Sequence, residues 1–362
     1  MSSDNSVIVI GAGIVGASIA YHLARRGADV LILDQTGPAA GATGKSFAWI
    51  NANHSASDHY HRLRYQSLAE YQRLDRELDG ALGLQWCGSL TFDVEGEDFD
   101  QRLRRFQALG YPVETVAHNQ FGSFEPCYQH QPERAMRFAL EGAVEAITAT
   151  TALIDAAVGH GASTIFGATA SRLFSQGKRR LGVATDFGDF AADSVIVAAG
   201  VGTTDLLGSV DIPLPMANRP GLMLHSRPIE PVLNHVIWGD RIHIKQQNDG
   251  RLVIGEIFSD SQAGNDPTRI AEAMVKTCRR HLPDLDIEIG KTTIGLRPIP
   301  EDGMPIIDRI PGIDSLYVAV MHNGITLAPI VGRLVTDEIL DGTQFETLAP
   351  YRLNRFRRDA TP

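Results

Sequence analysis

The sequence predicts an α/β fold organised on a parallel sheet, and three observations near its head predict it. Residues 7–10, VIVI, are a short all-apolar run of the kind found in strands buried on both faces. Residues 14–26 follow with Ile14, Val15, Ile19, Ala20 and Leu23 at the spacing of one helical face, and Gly27 supplies the usual stop. Residues 30–33 are a second buried strand, closed by Asp34. Together they make one complete β-α-β unit.

The remaining elements read in order. Residues 37–46 are a loop of small residues, 60–78 an amphipathic helix, 90–94 a strand and 99–109 a helix. Residues 111–139, with Pro112, Pro126 and Pro132, read as irregular. A helix at 148–158 follows, and strands at 164–166, 183–185 and 194–198 are expected to return to the first sheet. Five prolines between 211 and 231 suggest a crossing between domains. Residues 242–244 and 251–254 read as a hairpin turning at Asp249–Gly250. A helix at 267–282, a buried strand at 316–320 and a helix at 325–340 complete the pattern. The basic tail, 351–358, reads as a solvated terminal helix.

Composition narrows the function. The chain has 362 residues, 43% of them hydrophobic. That exceeds the roughly 250–300 residues at which single cores divide, so two domains, interleaved or sequential, are expected. Lys and Arg number 33 against 43 Asp and Glu, a net charge of −10, which argues against a nucleic acid or an anionic membrane as partner. The N-terminus lacks a signal-peptide pattern and no run of 18 apolar residues occurs, so a cytoplasmic location with no membrane span is expected. Cys87, Cys127 and Cys278 are far apart and read as ordinary thiols. His54, His59 and His61 read as surface or lid residues with no metal set around them.

GAGIVG, Gly11 to Gly16, has the GxGxxG form, and here it follows a strand and opens a helix. Gly11 permits the tight turn, Gly13 lets backbone approach a pyrophosphate, and Gly16 lets the helix pack closely. The helix N-terminus offers free N–H groups to phosphates. Asp34, 18 residues after Gly16, is placed to accept hydrogen bonds from ribose hydroxyls and would repel a 2′-phosphate. GATGKS, residues 41–46, is not a P-loop: Ala39 stands where that motif needs its first glycine.

With these features the chain resembles the FAD-dependent D-amino acid oxidase superfamily, which includes glycine oxidase, sarcosine oxidase and D-amino acid dehydrogenases. Beside the N-terminal unit and GATGKSFAWINAN (41–53), the resemblance rests on EGAVEAITATTALIDAA (141–157) with VIVAAGVGTTDLL (195–207), GLRPIPEDGMPIID (295–308) and HNGITLAPIVGRLVTDEILDG (322–342). It implies a Rossmann-like FAD-binding domain from residues 1–80, 140–217 and 290–362, interleaved with a mixed-sheet α+β substrate domain from 81–139 and 218–289. It implies an extended FAD contacted by Gly11, Gly13, Gly16, Asp34, Gln35, Thr43, Gly44, Lys45, Ser46, Gly200, Asn323, Gly324, Ile325 and Thr326. The N–H groups of Ile325 and Thr326, at a helix start, would face the flavin pyrimidine edge. Pro329 falls early in that helix, where a missing N–H costs little.

The resemblance also places Arg297, in GLRP, on the substrate carboxylate, a task suited to a permanently charged bidentate fork. A structural ion pair is the alternative. His243 stands where relatives carry an aromatic residue over the flavin; it is expected to donate a hydrogen bond to substrate or help take a proton. Phe47, Ala48 and Trp49 are expected near the flavin face. The chain departs from the relatives at three places. Ala319–Val320 replace a Gly-His pair, with His322 shifted to the turn, and Gln246–Gln247 replace Pro-Arg. No cysteine stands near 295–308, which makes the FAD non-covalent. No lysine follows Gly255, where some relatives activate oxygen. The expected activity is oxidation of the C–N bond of a small amino acid or amine by hydride transfer to flavin N5, with the imine then hydrolysed and electrons passing to oxygen or another acceptor. A 2-hydroxy-acid dehydrogenase on the same fold, and a FAD subunit serving a partner, are the rival readings.

Overall fold

The computed structural model describes residues 5–55, 57–177, 180–256 and 266–356. The β-α-β unit forms as the sequence predicts: strands Ser6–Ile10 and Asp29–Asp34 pair in parallel around the helix Ile14–Arg25. Ser194–Val197 pairs on the other side of Ser6–Ile10, then Leu316–Val320 and Ile306–Arg309, while Ser163–Phe166 closes the far edge. Every residue of Leu316–Val320 is buried, which matches its continuous apolar sequence. Helices Ile14–Arg25, Ala146–Gly159 and Gly324–Asp341 pack together against this six-stranded sheet.

A second sheet of eight strands carries the other lobe. Its order is Ile289–Arg297, Arg219–Pro228, Arg251–Glu256, Ile242–Gln246, Val236–Gly239, Ser89–Thr91, Arg134–Phe138 and Glu114–Ala117. Helix Pro267–His281 packs on its apolar face, where Leu222, Leu224, Ile242, Ile244, Leu252 and Ile254 form one core. A small sheet of Trp49–Ile50, Gly142–Val144 and Leu84–Gln85 links the lobes.

Five expectations differ from the structure. Residues 111–139 are not irregular; they hold strand Glu114–Ala117, helix His118–Phe124 and strand Arg134–Phe138. The 183–185 run belongs to Arg180–Thr185, in a separate antiparallel sheet with Ala170–Gln176 and Gly188–Ala192, not to the first sheet. The proline-rich crossing contains a ten-residue strand, Arg219–Pro228. Its neighbour Ile289–Arg297 carries the eight-stranded sheet past the boundary drawn at residue 290. The tail forms a short 3-10 turn, Leu353–Phe356; residues 357 and 358 lie outside the described ones. Among the described residues no helix is long and apolar enough to cross a membrane.

Pro329 lies one turn further into its helix than the first turn, so the Ile325 carbonyl loses its i+4 donor. The Tyr71 hydroxyl donates to that carbonyl instead, at 2.5 Å. Tyr71→Phe therefore leaves a carbonyl beside the cofactor cavity without its donor and should lower stability by about 1–2 kcal/mol in urea unfolding. An unchanged midpoint would show the bond contributes nothing.

Candidate active site

A cavity of about 800 Å³ opens at the carboxyl ends of the six-stranded sheet. That is where open α/β sheets place ligands, and the volume lies within the usual range for small-molecule and cofactor pockets. Gly11 turns the chain at φ +112°, and a Cβ there would stand 2.4 Å from the Ala198 carbonyl oxygen. Gly13 opens the first helix, and its Cβ would approach the Thr43 Oγ1 at 3.2 Å. That same Oγ1 accepts from the Ile14 N–H at 3.2 Å, so the 37–46 loop is tied to the helix start. A Cβ at Gly16 would be 2.0 Å from the Gly11 carbonyl oxygen. Gly16 therefore serves packing and does not line the cavity.

Asp34 lines the cavity, but three backbone N–H groups already reach it: Ala12 at 2.7 Å, Thr36 at 2.8 Å and Gly37 at 2.8 Å. A carboxylate has about four acceptor positions, so room remains for one hydroxyl. Gln35, Thr43, Lys45, Ser46, Gly200, Gly324 and Ile325 also line the cavity. Besides Gly16, three expected contacts do not. Gly44 packs where a Cβ would be 2.5 Å from the Ala39 carbonyl. The Asn323 amide donates to the Tyr60 hydroxyl at 2.9 Å. The buried Thr326 hydroxyl donates to the Trp49 carbonyl at 3.1 Å. His322 does line the cavity, and burial, reinforced by Arg297 and Arg64, lowers its pKa to about 4.

Arg297 ends strand Ile289–Arg297, between Leu296 and Pro298, which both line the cavity. Its side chain crosses Gly221, donating from Nη2 to the Pro220 carbonyl at 2.7 Å and from Nε to the Arg219 carbonyl at 3.3 Å. Burial pulls its pKa down to about 10, and nearby Glu256 opposes that shift. His243 lies on the same face of the eight-stranded sheet. It is buried, and desolvation, with His54, Arg297 and Lys245 pushing the same way, lowers its pKa to about 3. The imidazole is therefore neutral, able to donate or accept a hydrogen bond, and burial makes it a weaker base than a free histidine.

Aromatic rings surround His243. Trp238, its cross-strand partner, stacks on it at 5.1 Å and 11°, and Phe47 meets it edge-on at 4.2 Å. Trp49 and His54 pack on Trp238 at 5.4 Å and 4.4 Å. His54 is thus a packed residue with Asp93 3.6 Å away, and His61 is buried with Nδ1 2.9 Å from the Ala52 carbonyl; only His59 stays near the surface. No group of three metal-binding side chains occurs among the described residues. The loop carrying His54 is held by Glu141, a fully buried carboxylate. It accepts from the Ala52 and Asn53 N–H groups at 3.0 Å each, the Tyr111 hydroxyl at 2.8 Å, the Asn53 amide at 2.9 Å and the Ser89 hydroxyl at 2.6 Å. Trp238, Lys245 and Glu141 were missed as site residues. Trp238 is paired directly with His243 and Lys245 stands two residues further along the same strand, so a hairpin register would have revealed both.

A glycine-turn cavity at the carboxyl ends of a parallel sheet, with Leu296 and Pro298 on its wall but neither Arg297 nor His243 lining it, defines a dinucleotide-binding α/β protein. The chain belongs to the DAO family, FAD dependent oxidoreductases, whose family model matches residues 6–338. It is thus an FAD-dependent enzyme. Glycine oxidase of Geobacillus kaustophilus is 27% identical over 373 residues, 98% of each chain. A crystal structure of glycine oxidase from that organism superposes with a TM-score of 0.85 at 25% identity, covering 97% of this chain and 99% of the other. The bifunctional protein ThiO/ThiG of Trichormus variabilis is 27% identical over 372 residues, and this chain spans 98% of itself but only 56% of that longer protein.

Proposed function

We propose that the protein oxidises the C–N bond of a small amino acid or amine, with Arg297 anchoring the substrate carboxylate. The observation that carries this reading is the placement of Arg297 between two cavity-lining residues, on the sheet face that also bears His243. FAD supplies the acceptor for the hydride leaving the substrate α-carbon. The residues present suit it. Gly11, Gly13 and the start of Ile14–Arg25 offer a side-chain-free cradle at the positive end of a helix for its phosphates, and Asp34 retains acceptor capacity for a ribose hydroxyl. Gly324 and Ile325 at the last helix start would face its pyrimidine edge. None of Cys87, Cys127 and Cys278 lines the cavity, in keeping with non-covalent binding. The division into lobes is proposed as first drawn, with Ile289–Arg297 moved to the substrate side.

His243 hydrogen-bonds the substrate while neutral, so it adds no ionisation near neutral pH. The substrate amine must itself be neutral to lose hydride, so kcat/KM should rise with pH toward the amine pKa, and His243→Ala should leave the shape of that profile unchanged. The imine leaves and hydrolyses in water. The test is anaerobic titration of the FAD-loaded protein with D-, L- and N-methyl amino acids, watching the yellow flavin absorbance. Bleaching by one class establishes the reaction and its substrate class. Bleaching only by 2-hydroxy acids, which offer Arg297 the same carboxylate, would replace it with the second reading.

A further inference from the structure

His243 occupies a seat with three walls. On one side stands Trp238, parallel at 5.1 Å; Phe47 closes the top at 4.2 Å; both are buried. On the other side runs the neighbouring strand Arg251–Glu256, whose Gly255 is paired with His243 in register. Paired residues in a sheet normally hold their Cβ atoms about 4.5–5.5 Å apart, so each side chain stands over its own strand. Here the ring leans across. A Cβ at Gly255 would lie 2.0 Å from His243 Nε2, 2.7 Å from Cε1 and 2.8 Å from Cδ2. Three ring atoms therefore use the space that any other residue would fill. Gly255 has no positive φ, so its backbone does not need glycine; only the ring above it does.

We propose that Gly255 is the positioning residue of this site. Its missing side chain lets the imidazole lie over the strand with Nε2 directed toward the strands that carry Gly221 and Arg297. The strand order, Ile242–Gln246, Arg251–Glu256, Arg219–Pro228 and Ile289–Arg297, fixes that direction. A substrate anchored at Arg297 then meets Nε2 from across the sheet. The inference rests on the reading of the site as amine-oxidising, and it concerns the one side chain whose angle sets how the reacting nitrogen is addressed. Small displacements of such a group are costly, up to about a hundredfold per ångström. An alanine cannot be absorbed by a shift of the ring, because Trp238 and Phe47 block the other directions.

The experiment is a double-mutant cycle on the FAD-loaded protein: wild type, Gly255→Ala, His243→Ala and both together. Flavin reduction is followed anaerobically with the substrate the panel identifies. Gly255→Ala should slow reduction about tenfold or more while KM for a carboxylated substrate moves less than about twofold, since Arg297 is untouched. In the His243→Ala background the same substitution should change the rate less than about twofold. An equal loss in both backgrounds, or no loss in the wild-type background, overturns the proposal. The near-UV circular dichroism of the aromatic cluster around Trp238 supplies a readout independent of turnover. Gly255→Ala should alter it only when His243 is present, and equal changes with and without the ring count against the seat. If no amine or amino acid reduces the wild-type flavin, the functional reading fails and the spectrum alone decides the seat. Should Gly255→Ala fail to fold, recovery in the double variant supports the contact, and failure of both refutes it.

Discussion

Replacing Arg297 by alanine should raise KM for a carboxylated amino acid about a hundredfold, equivalent to about 2.7 kcal/mol, while leaving an amine without a carboxylate nearly unaffected. The argument is electrostatic and geometric. The guanidinium is partly desolvated, which strengthens any charge-assisted hydrogen bond it makes. Its Nη2 and Nε are steadied by the Pro220 and Arg219 carbonyls, so the fork is held before substrate arrives. Arg297→Lys keeps the charge but loses the planar fork and those carbonyl bonds, so it should recover only part of the affinity. Steady-state kinetics on a matched pair, an amino acid and its decarboxylated amine, checks this. Equal losses for both would mean that Arg297 supports the fold and does not read the carboxylate.

Glu141→Gln should cost about 3–5 kcal/mol of stability, the largest effect expected from a single isosteric change in this chain. One oxygen of Glu141 accepts three hydrogen bonds and the other two. A carboxamide accepts at its oxygen only, so at least two buried donors would face an NH2 group. Burial raises the carboxyl pKa, and the hydrogen bonds from Ser89, Tyr111 and Ala52 act against that rise. Because the donors hold residues 52 and 53, the variant should also loosen the loop that carries His54 against Trp238. Urea unfolding of the FAD-loaded protein measures the first effect, and protease sensitivity near residue 54 the second. A midpoint within experimental error of wild type would show that water replaces the carboxylate.

The first lobe was legible because its central strands, Ser6–Ile10, Ser194–Val197 and Leu316–Val320, are buried on both faces, so their apolar runs carry the signal without alternation. Gly11 and Gly13 could be assigned from spacing alone: the backbone turn demands the first, and the close approach of Thr43 favours the second. The second lobe was harder. Strand Glu114–Ala117 lies at a sheet edge with three of four residues exposed, which leaves no pattern to read. The hairpin joining Val236–Gly239 to Ile242–Gln246 turns at Asp240 and Arg241, both at positive φ, with neither asparagine nor glycine to announce it. Missing that turn hid the pairing of Trp238 with His243, and with it the walls of the site. Arg180–Thr185 shows a different limit: its apolar run predicts a strand but not which sheet receives it. The burial of His54 and His61 comes from residues brought in from elsewhere in the chain, beyond the reach of a local reading.

The two ends of the chain meet in the six-stranded sheet, where Ser6–Ile10 is separated from Leu316–Val320 by one strand and the first helix packs on Gly324–Asp341. Translation makes these walls in opposite order. The glycine turn leaves the ribosome first, while His322, Gly324 and Ile325 arrive after some three hundred further residues. Until they arrive the nascent chain has half a cavity and an open sheet edge beside Ser194–Val197. A chain ending before residue 316 would therefore lack the wall that His322, Gly324 and Ile325 give the cavity.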